Sequence, residues 1–263
     1  MLGGDYVRWE AVEGTAIRTG LEAALEHVEG WLYLDEALAL YEVVRLLPEG
    51  PVTVVEIGSW KGRSTIALGL AVMARGSGRV FAIDPHNGEK LTGTGPLEPG
   101  STPIPTLDEF HTNIARAGVE PVVETLVTAS HLARARFADQ SVDFLFVDGS
   151  HLYADVRRDI EDWASALKDH AVIAFNDPSD PGVYRALREL ILRPGPFVGP
   201  RLVQNTLFFD FRRPVVWQRH DTKSLQKMRL LLWLKFHAAP LWPSIPDWMV
   251  RAARRLSSRM MSH

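Results

Sequence analysis

Cysteine is missing from all 263 residues. That absence excludes disulfides, thiolate zinc sites, cysteine nucleophiles and cysteine-held iron–sulfur clusters together. A basic leader running into an apolar stretch is also missing, as is any run near the ~20 apolar residues that span a bilayer. The expected location is cytoplasmic. Net charge is small at −3, but residues 217–263 carry nine Lys/Arg against Asp221 and Asp247, a net +7, which leaves −10 on the rest. An acidic main body is the opposite of a phosphate-tracking surface, so nucleic acid is not the expected partner. Internal repeats and low-complexity tracts are absent, and 46% hydrophobic residues suffice for a sizeable core.

What is present is an alternation of elements. Leu38, Leu40, Val43, Val44 and Leu47 follow helical spacing, and Pro48-Glu49-Gly50-Pro51 stops that segment. Apolar strands are expected at 52–57, 80–83, 122–127, 142–147 and 171–175. Helices are expected through Ile66 to Leu68, at 107–117, near Leu132, at 153–167 and at 186–192. Residues 197–211 are rich in β-formers, with Gln204-Asn205 as a hairpin turn. The pattern predicts an α/β fold: a mainly parallel seven-stranded sheet ending in an antiparallel hairpin, helices on both faces. The expected division is a helical cap at 1–50, a catalytic domain at 51–213 and a basic, Trp-rich helical extension at 214–263.

The sharpest motif is Val54-Val55-Glu56-Ile57-Gly58-Ser59-Trp60-Lys61-Gly62-Arg63-Ser64-Thr65, a strand ending at a carboxylate and a glycine turn. Phosphate sites offer glycines, a helix N-terminus and often a cation, whereas this strand delivers Glu56 into the turn. Three residues separate Gly58 from Gly62, so neither the dinucleotide fingerprint nor the P-loop spacing fits. An anion beside close-approaching glycines suits S-adenosylmethionine (SAM), which carries a sulfonium and an ammonium but no phosphate. An ordinary turn with a chance glutamate is the competing reading. Asp84 closes the second strand, where a carboxylate can accept hydrogen bonds from both ribose hydroxyls of an adenosine. A solvated turn acid before Pro85 would look the same.

The fourth strand runs into Val147-Asp148-Gly149-Ser150-His151 and the fifth into Phe175-Asn176-Asp177. If these strands are neighbours, Asp148, Asn176 and Asp177 converge at one edge of the pocket. Oxygen ligands without thiols favour magnesium, which keeps waters and uses one or two carboxylates. His151 is then near enough to take a proton from a hydroxyl at that edge. The alternatives are Ser150 as a helix cap with an incidental histidine, and strand-end acids that bind backbone amides. Ser130, after the third strand, is placed to meet an adenine edge. Residues 86–106 lack apolar periodicity and read as a lid over the site or as a mobile surface insertion.

Taken together and in order, Gly30-Trp31-Leu32, the Glu56 turn, Ile83-Asp84-Pro85, Phe146-Val147-Asp148-Gly149-Ser150-His151 and Asn176-Asp177 resemble class I SAM-dependent methyltransferases, whose fold is Rossmann-like. Within that family they look like the metal-dependent sugar O-methyltransferases, over about residues 30 to 195. The resemblance implies that Glu56, Gly58, Ser59, Gly62 and Ser64 surround the methionine part of SAM, Asp84 the ribose and Ser130 the adenine, with Asp148 close to the donor. It implies that Asp148 and Asp177 bind Mg2+, that His151 is the general base, and that the acceptor is a small saccharide such as a short methylmannose oligosaccharide. Related enzymes often show two acids where this chain has Asn176-Asp177, so Asn176 would have to serve through its carbonyl oxygen.

Other readings stay open: a methyltransferase acting on a phenolic or catechol compound, and a SAM-binding protein without turnover. In the tail, Trp233, Trp242 and Trp248 stand among Lys and Arg. That segment is expected to pack on the core or on a second subunit, as in a homodimer, with peripheral membrane contact or an anionic partner as alternatives.

Overall fold

The computed structural model describes residues 15–87, 105–192 and 195–213, with Lys223, Gln226, Lys227, Met228 and Leu230 beyond them. Most of the expected lid and most of the C-terminal extension lie outside the described residues.

The elements follow in the order α1 (Thr15–Leu25), α2 (Leu34–Arg45), β1 (Val52–Ile57), α3 (Arg63–Arg75), β2 (Gly78–Ile83), α4 (Leu107–Arg116), β3 (Val123–Leu126) and α5 (Ser130–Ala133). They continue with β4 (Val142–Val147), α6 (Tyr153–Trp163), β5 (Leu167–Asn176), α7 (Pro181–Leu190), β6 (Phe197–Val203) and β7 (Thr206–Phe211). The seven strands lie in the order β3-β2-β1-β4-β5-β7-β6. The first five are parallel, and β7 pairs antiparallel with both β5 and β6. This is the Rossmann-like arrangement expected, with the hairpin turn at Gln204-Asn205.

Strand periodicity divides the core in two. Val52, Val54, Phe144, Phe146, Val172, Ala174 and Phe208 face α1 to α4, and the α1 and α2 side chains Leu21, Leu25, Leu40 and Val44 belong to that same cluster. Val55, Ile57, Leu145, Val147, Ile173, Phe175 and Phe209 face α5 to α7, with Trp163 fully buried among them. Among the described residues no helix is long and apolar enough to cross a membrane.

Several boundaries shift, α7 for example starting at Pro181 rather than at the expected Ala186, and one shift changes the type of element. The helix predicted to reach Leu167 ends at Trp163, and Leu167 instead opens β5 opposite Val142. Leu167 stands one helical turn beyond Trp163, so spacing alone extends the helix. The chain turns at Ala164, however, and Lys168 reaches across to Asp143 at 2.8 Å, drawing this segment into the sheet.

Candidate active site

The parallel strands end along one rim, and the register fixes which side chains meet there. Ile57 pairs with Val147 and Val147 with Phe175, so Gly58, Asp148 and Asn176 follow side by side. The Asp148 amide donates to the Ile57 carbonyl at 2.8 Å. A β-carbon on Gly58, whose φ is +89°, would collide with the Asp148 carbonyl. That close approach demands glycine.

Glu56 shares the face of Val54 and points at the first turn of α3, where Thr65 Oγ1 donates to Glu56 Oε2. It is fully buried. Burial pushes its carboxyl up to about 7, and Asp84 adds to the rise, while hydrogen bonds from Ser64 and Thr65 oppose it. Its second oxygen, Oε1, and the buried Ser59 hydroxyl have no hydrogen-bonding partner among the described residues. Buried polar atoms left in this state in a strand-end turn suit a ligand that donates hydrogen bonds.

Asp84 is held by the backbone. Trp60 N–H donates to Oδ2 at 2.8 Å and His86 N–H to Oδ1 at 2.7 Å. Each oxygen keeps a lone pair for a further donor, the arrangement a vicinal diol requires. Trp60 adopts φ +42° to make its contact, and His86 φ +49°. His86 Nδ1 also pairs with Thr106 Oγ1 at 2.9 Å, tying together the two ends of the segment expected to form a lid.

Asp148, Asn176 and Asp177 come together as expected. Surrounding protein holds the Asp148 carboxyl well above the usual range, and Asp177, Glu56 and Glu36 push it further, against a hydrogen bond from Asn176. Such an acidic rim favours any cation placed in it. Asn176 behaves differently from expectation. Its Oδ1 faces the Thr206 hydroxyl at 3.3 Å while its amide serves Asp148, so the carbonyl anticipated for a metal is turned away. The cause is β7, which places Thr206 directly opposite Asn176. Among the described residues no three His, Asp or Glu side chains form a ready metal cage. Asp148 and Asp177 supply two carboxylates, which is all that a hydrated magnesium asks of a protein.

His151 stands beside this rim. Its Nε2 is 4.0 Å from Asp177 Oδ2 and its Nδ1 is 3.6 Å from Asp180 Oδ2. Asp180 caps α7 by accepting from the Gly182 amide at 3.0 Å, with Pro181 in the first turn. Gly182 packs so tightly on the His151 carbonyl that a β-carbon would collide with it. Asp177 has φ +45°, a strained conformation of the kind that collects at functional rims.

Ser130 is expected to meet an adenine edge through its hydroxyl or its backbone, and its hydroxyl is already engaged within the protein. The hydroxyl donates to Asp159 Oδ1 at 2.6 Å and accepts from Trp163 Nε1 at 2.9 Å, so its proton is spent and one lone pair and the backbone remain for an adenine edge. Ser150 caps locally, accepting from the Leu152 amide at 3.1 Å and donating to Asp155 at 2.7 Å.

Two site residues escape sequence reasoning. Glu36 of α2 is buried, with Oε1 accepting from the Asn205 amide at 2.8 Å and lying 3.0 Å from the Thr206 hydroxyl. Glu36 and Thr206 thus form a chain through Asn176 to Asp148. An acid in a helix's first turn normally signals a solvated end, and nothing in the sequence marks this one as buried.

Comparison with known proteins agrees with this geometry. Residues 55–178 match the family model described as a methyltransferase domain, a span that runs from β1 just past Asp177 and encloses the whole rim. An uncharacterized protein of Sinorhizobium fredii is 30% identical over 135 residues, 48% of this chain but only 13% of that protein's length. The O-methyltransferase TomG from Streptomyces achromogenes, involved in tomaymycin synthesis and solved with SAM, is similar at 18% identity. It matches over 76% of this chain and 90% of its own, with a TM-score of 0.51. An O-methyltransferase from Bacillus cereus in complex with SAH is similar at 17% identity over 74% and 91% of the two chains, with a TM-score of 0.50. These two likenesses are of fold.

Proposed function

We propose that the chain is a methyltransferase, a reading supported by the methyltransferase-domain model that matches residues 55–178, and that it moves the methyl group of SAM to a hydroxyl of a small saccharide. The observation that carries the donor is the buried Glu56 carboxylate, with one oxygen and the neighbouring Ser59 hydroxyl unpartnered among the described residues. A cationic amino-acid moiety satisfies both. Asp84, already fixed by two backbone amides, takes the ribose beside the positive-φ turn of Gly58 and Gly62.

Methyl transfer is an in-line displacement in which the acceptor oxygen bonds the methyl carbon as the sulfur departs, so most of the catalysis is positioning. A sugar hydroxyl is a weak nucleophile at neutral pH. His151, between Asp177 and Asp180, removes its proton as the new bond forms, and Asp180 steadies the resulting imidazolium. Asp148 and Asp177 would hold magnesium, which when bound would orient the hydroxyl and lower its pKa. Asn176 positions Asp148 through its amide.

Two measurements test this reading. Because Glu56 lies at about 7 in the free protein, it is ionised above that value and protonated below it. SAM affinity is therefore expected to weaken as pH falls through 7, by up to about tenfold per unit, with proton release on binding. Calorimetry that finds the same affinity at about pH 5.5 and 8 would remove Glu56 from the donor site. In the second test, mass spectrometry of a saccharide and catechol panel should show one added methyl on a saccharide. Activity should vanish in EDTA and return with magnesium. Full turnover in EDTA would remove the metal, and methylation of catechols alone would replace the acceptor class.

A further inference from the structure

The rim chemistry leaves out an aromatic and ionic patch on its outer side. Trp60 is the residue whose amide binds Asp84, and it sits inside the turn, midway between Gly58 and Gly62. Trp31 stacks on it, with ring centroids 4.7 Å apart and planes 27° from parallel, yet Trp31 remains 65% exposed. The loop bearing Trp31 is fixed. Arg63 donates to the carbonyls of Leu25 at 2.7 Å, Val28 at 2.6 Å and Leu32 at 2.9 Å, locking the start of α3 to the chain before α2. The stack is a preformed surface.

Charged groups flank it. Lys61 Nζ sits 4.9 Å from the Trp60 ring centroid and bridges Glu29 at 2.5 Å and Glu109 at 2.8 Å. Both carboxylates reach solvent. At 65% exposure much of the Trp31 indole is apolar area left in water, which costs free energy. Neither Trp31 nor Trp60 belongs to the buried apolar clusters of the described residues.

We propose that Trp31 on Trp60, edged by Lys61, Glu29 and Glu109, is the acceptor platform, on which a pyranose ring of the saccharide lies. This rests on the saccharide reading above and names the surface that recognises it. A pyranose has one face of C–H bonds and an edge of hydroxyls. The electron-rich face of indole attracts the polarised C–H groups, while the carboxylates accept from hydroxyls and the ammonium donates to them. The platform adjoins the Asp84 end of the proposed donor site through the Trp60 backbone amide.

The test is steady-state kinetics of the full chain with the best saccharide from the panel, comparing wild type, Trp31→Ala and Trp31→Phe, beside calorimetry with SAM. Trp31→Ala is expected to raise the acceptor KM roughly three- to tenfold, the range of one lost aromatic contact, with kcat and SAM affinity near wild type. Trp31→Phe should recover most of the loss. An unchanged acceptor KM in Trp31→Ala overturns the platform while leaving the saccharide reading intact. So does a parallel loss of SAM affinity and thermal stability, which marks Trp31 as packing. A wild type that transfers methyl to no saccharide overturns the parent reading, and the platform with it.

Discussion

Replacing His151 with alanine is expected to lower turnover by roughly 10²–10⁴, the usual contribution of a general base, and to leave SAM affinity within about twofold of wild type. The separation follows from the geometry. His151 sits beside Asp177 and Asp180 beyond β4 and β5, whereas the donor groups Glu56 and Asp84 end β1 and β2. Removing the imidazole leaves the acceptor hydroxyl to lose its proton unaided, but takes nothing from the methionine or ribose contacts. The variant should also fold, because the tight contact with Gly182 is made by the His151 backbone rather than its ring. The measurements are kcat with saturating acceptor and SAM binding by calorimetry. Turnover equal to wild type would strip His151 of its role, and a large drop in SAM affinity would move it to the donor site.

Glu56→Gln should have the opposite signature. SAM affinity should fall roughly 10- to 100-fold, because hydrogen bonds to a charged partner are worth about 1.5–3 kcal/mol. Stability of the ligand-free protein should move the other way. Glu56 has a folded-state value of about 7, above its ordinary 4.5, so the protein pays to bury the carboxylate only once pH rises out of the acid range. Below pH 4.5 the carboxyl is neutral in both states and there is no penalty. Between 4.5 and 7 the folded state holds a proton that the unfolded state has lost, and stability drains away as pH rises. Above 7 the full penalty applies, on the order of 3 kcal/mol. The stability of Glu56→Gln relative to wild type should therefore improve from pH 5 to pH 8. Urea denaturation at the two pH values measures this directly. A difference that stays flat with pH would mean that Glu56 is not a buried titrating acid.

Local pattern made part of the site legible. Glu56, Asp84, Asp148 and Asp177 each stand where an apolar run gives way to glycine, proline or a polar turn, and strands in a parallel sheet present such residues at one edge. His151 follows from the same logic. Partnership was not legible. Thr206 meets Asn176 only because β7 returns antiparallel beside β5, and Glu36 reaches both Asn205 and Thr206 across about 170 positions. Ser130 sits where a rim residue should, but Trp163 and Asp159 from α6 take its hydroxyl. Trp31 and Trp60 stood inside recognisable motifs without any sign that they stack.

By itself the sequence determined the alternation of strands and helices, the absence of thiol chemistry and the acids at the strand ends, because periodicity and turn residues are local and repeat along the chain. Tertiary structure alone decided which way Asn176 turns, that Glu36 is buried, that Leu167 joins a strand, and which aromatic rings meet. Those outcomes depend on hydrogen bonds and packing between residues far apart in the chain. No local window holds both partners.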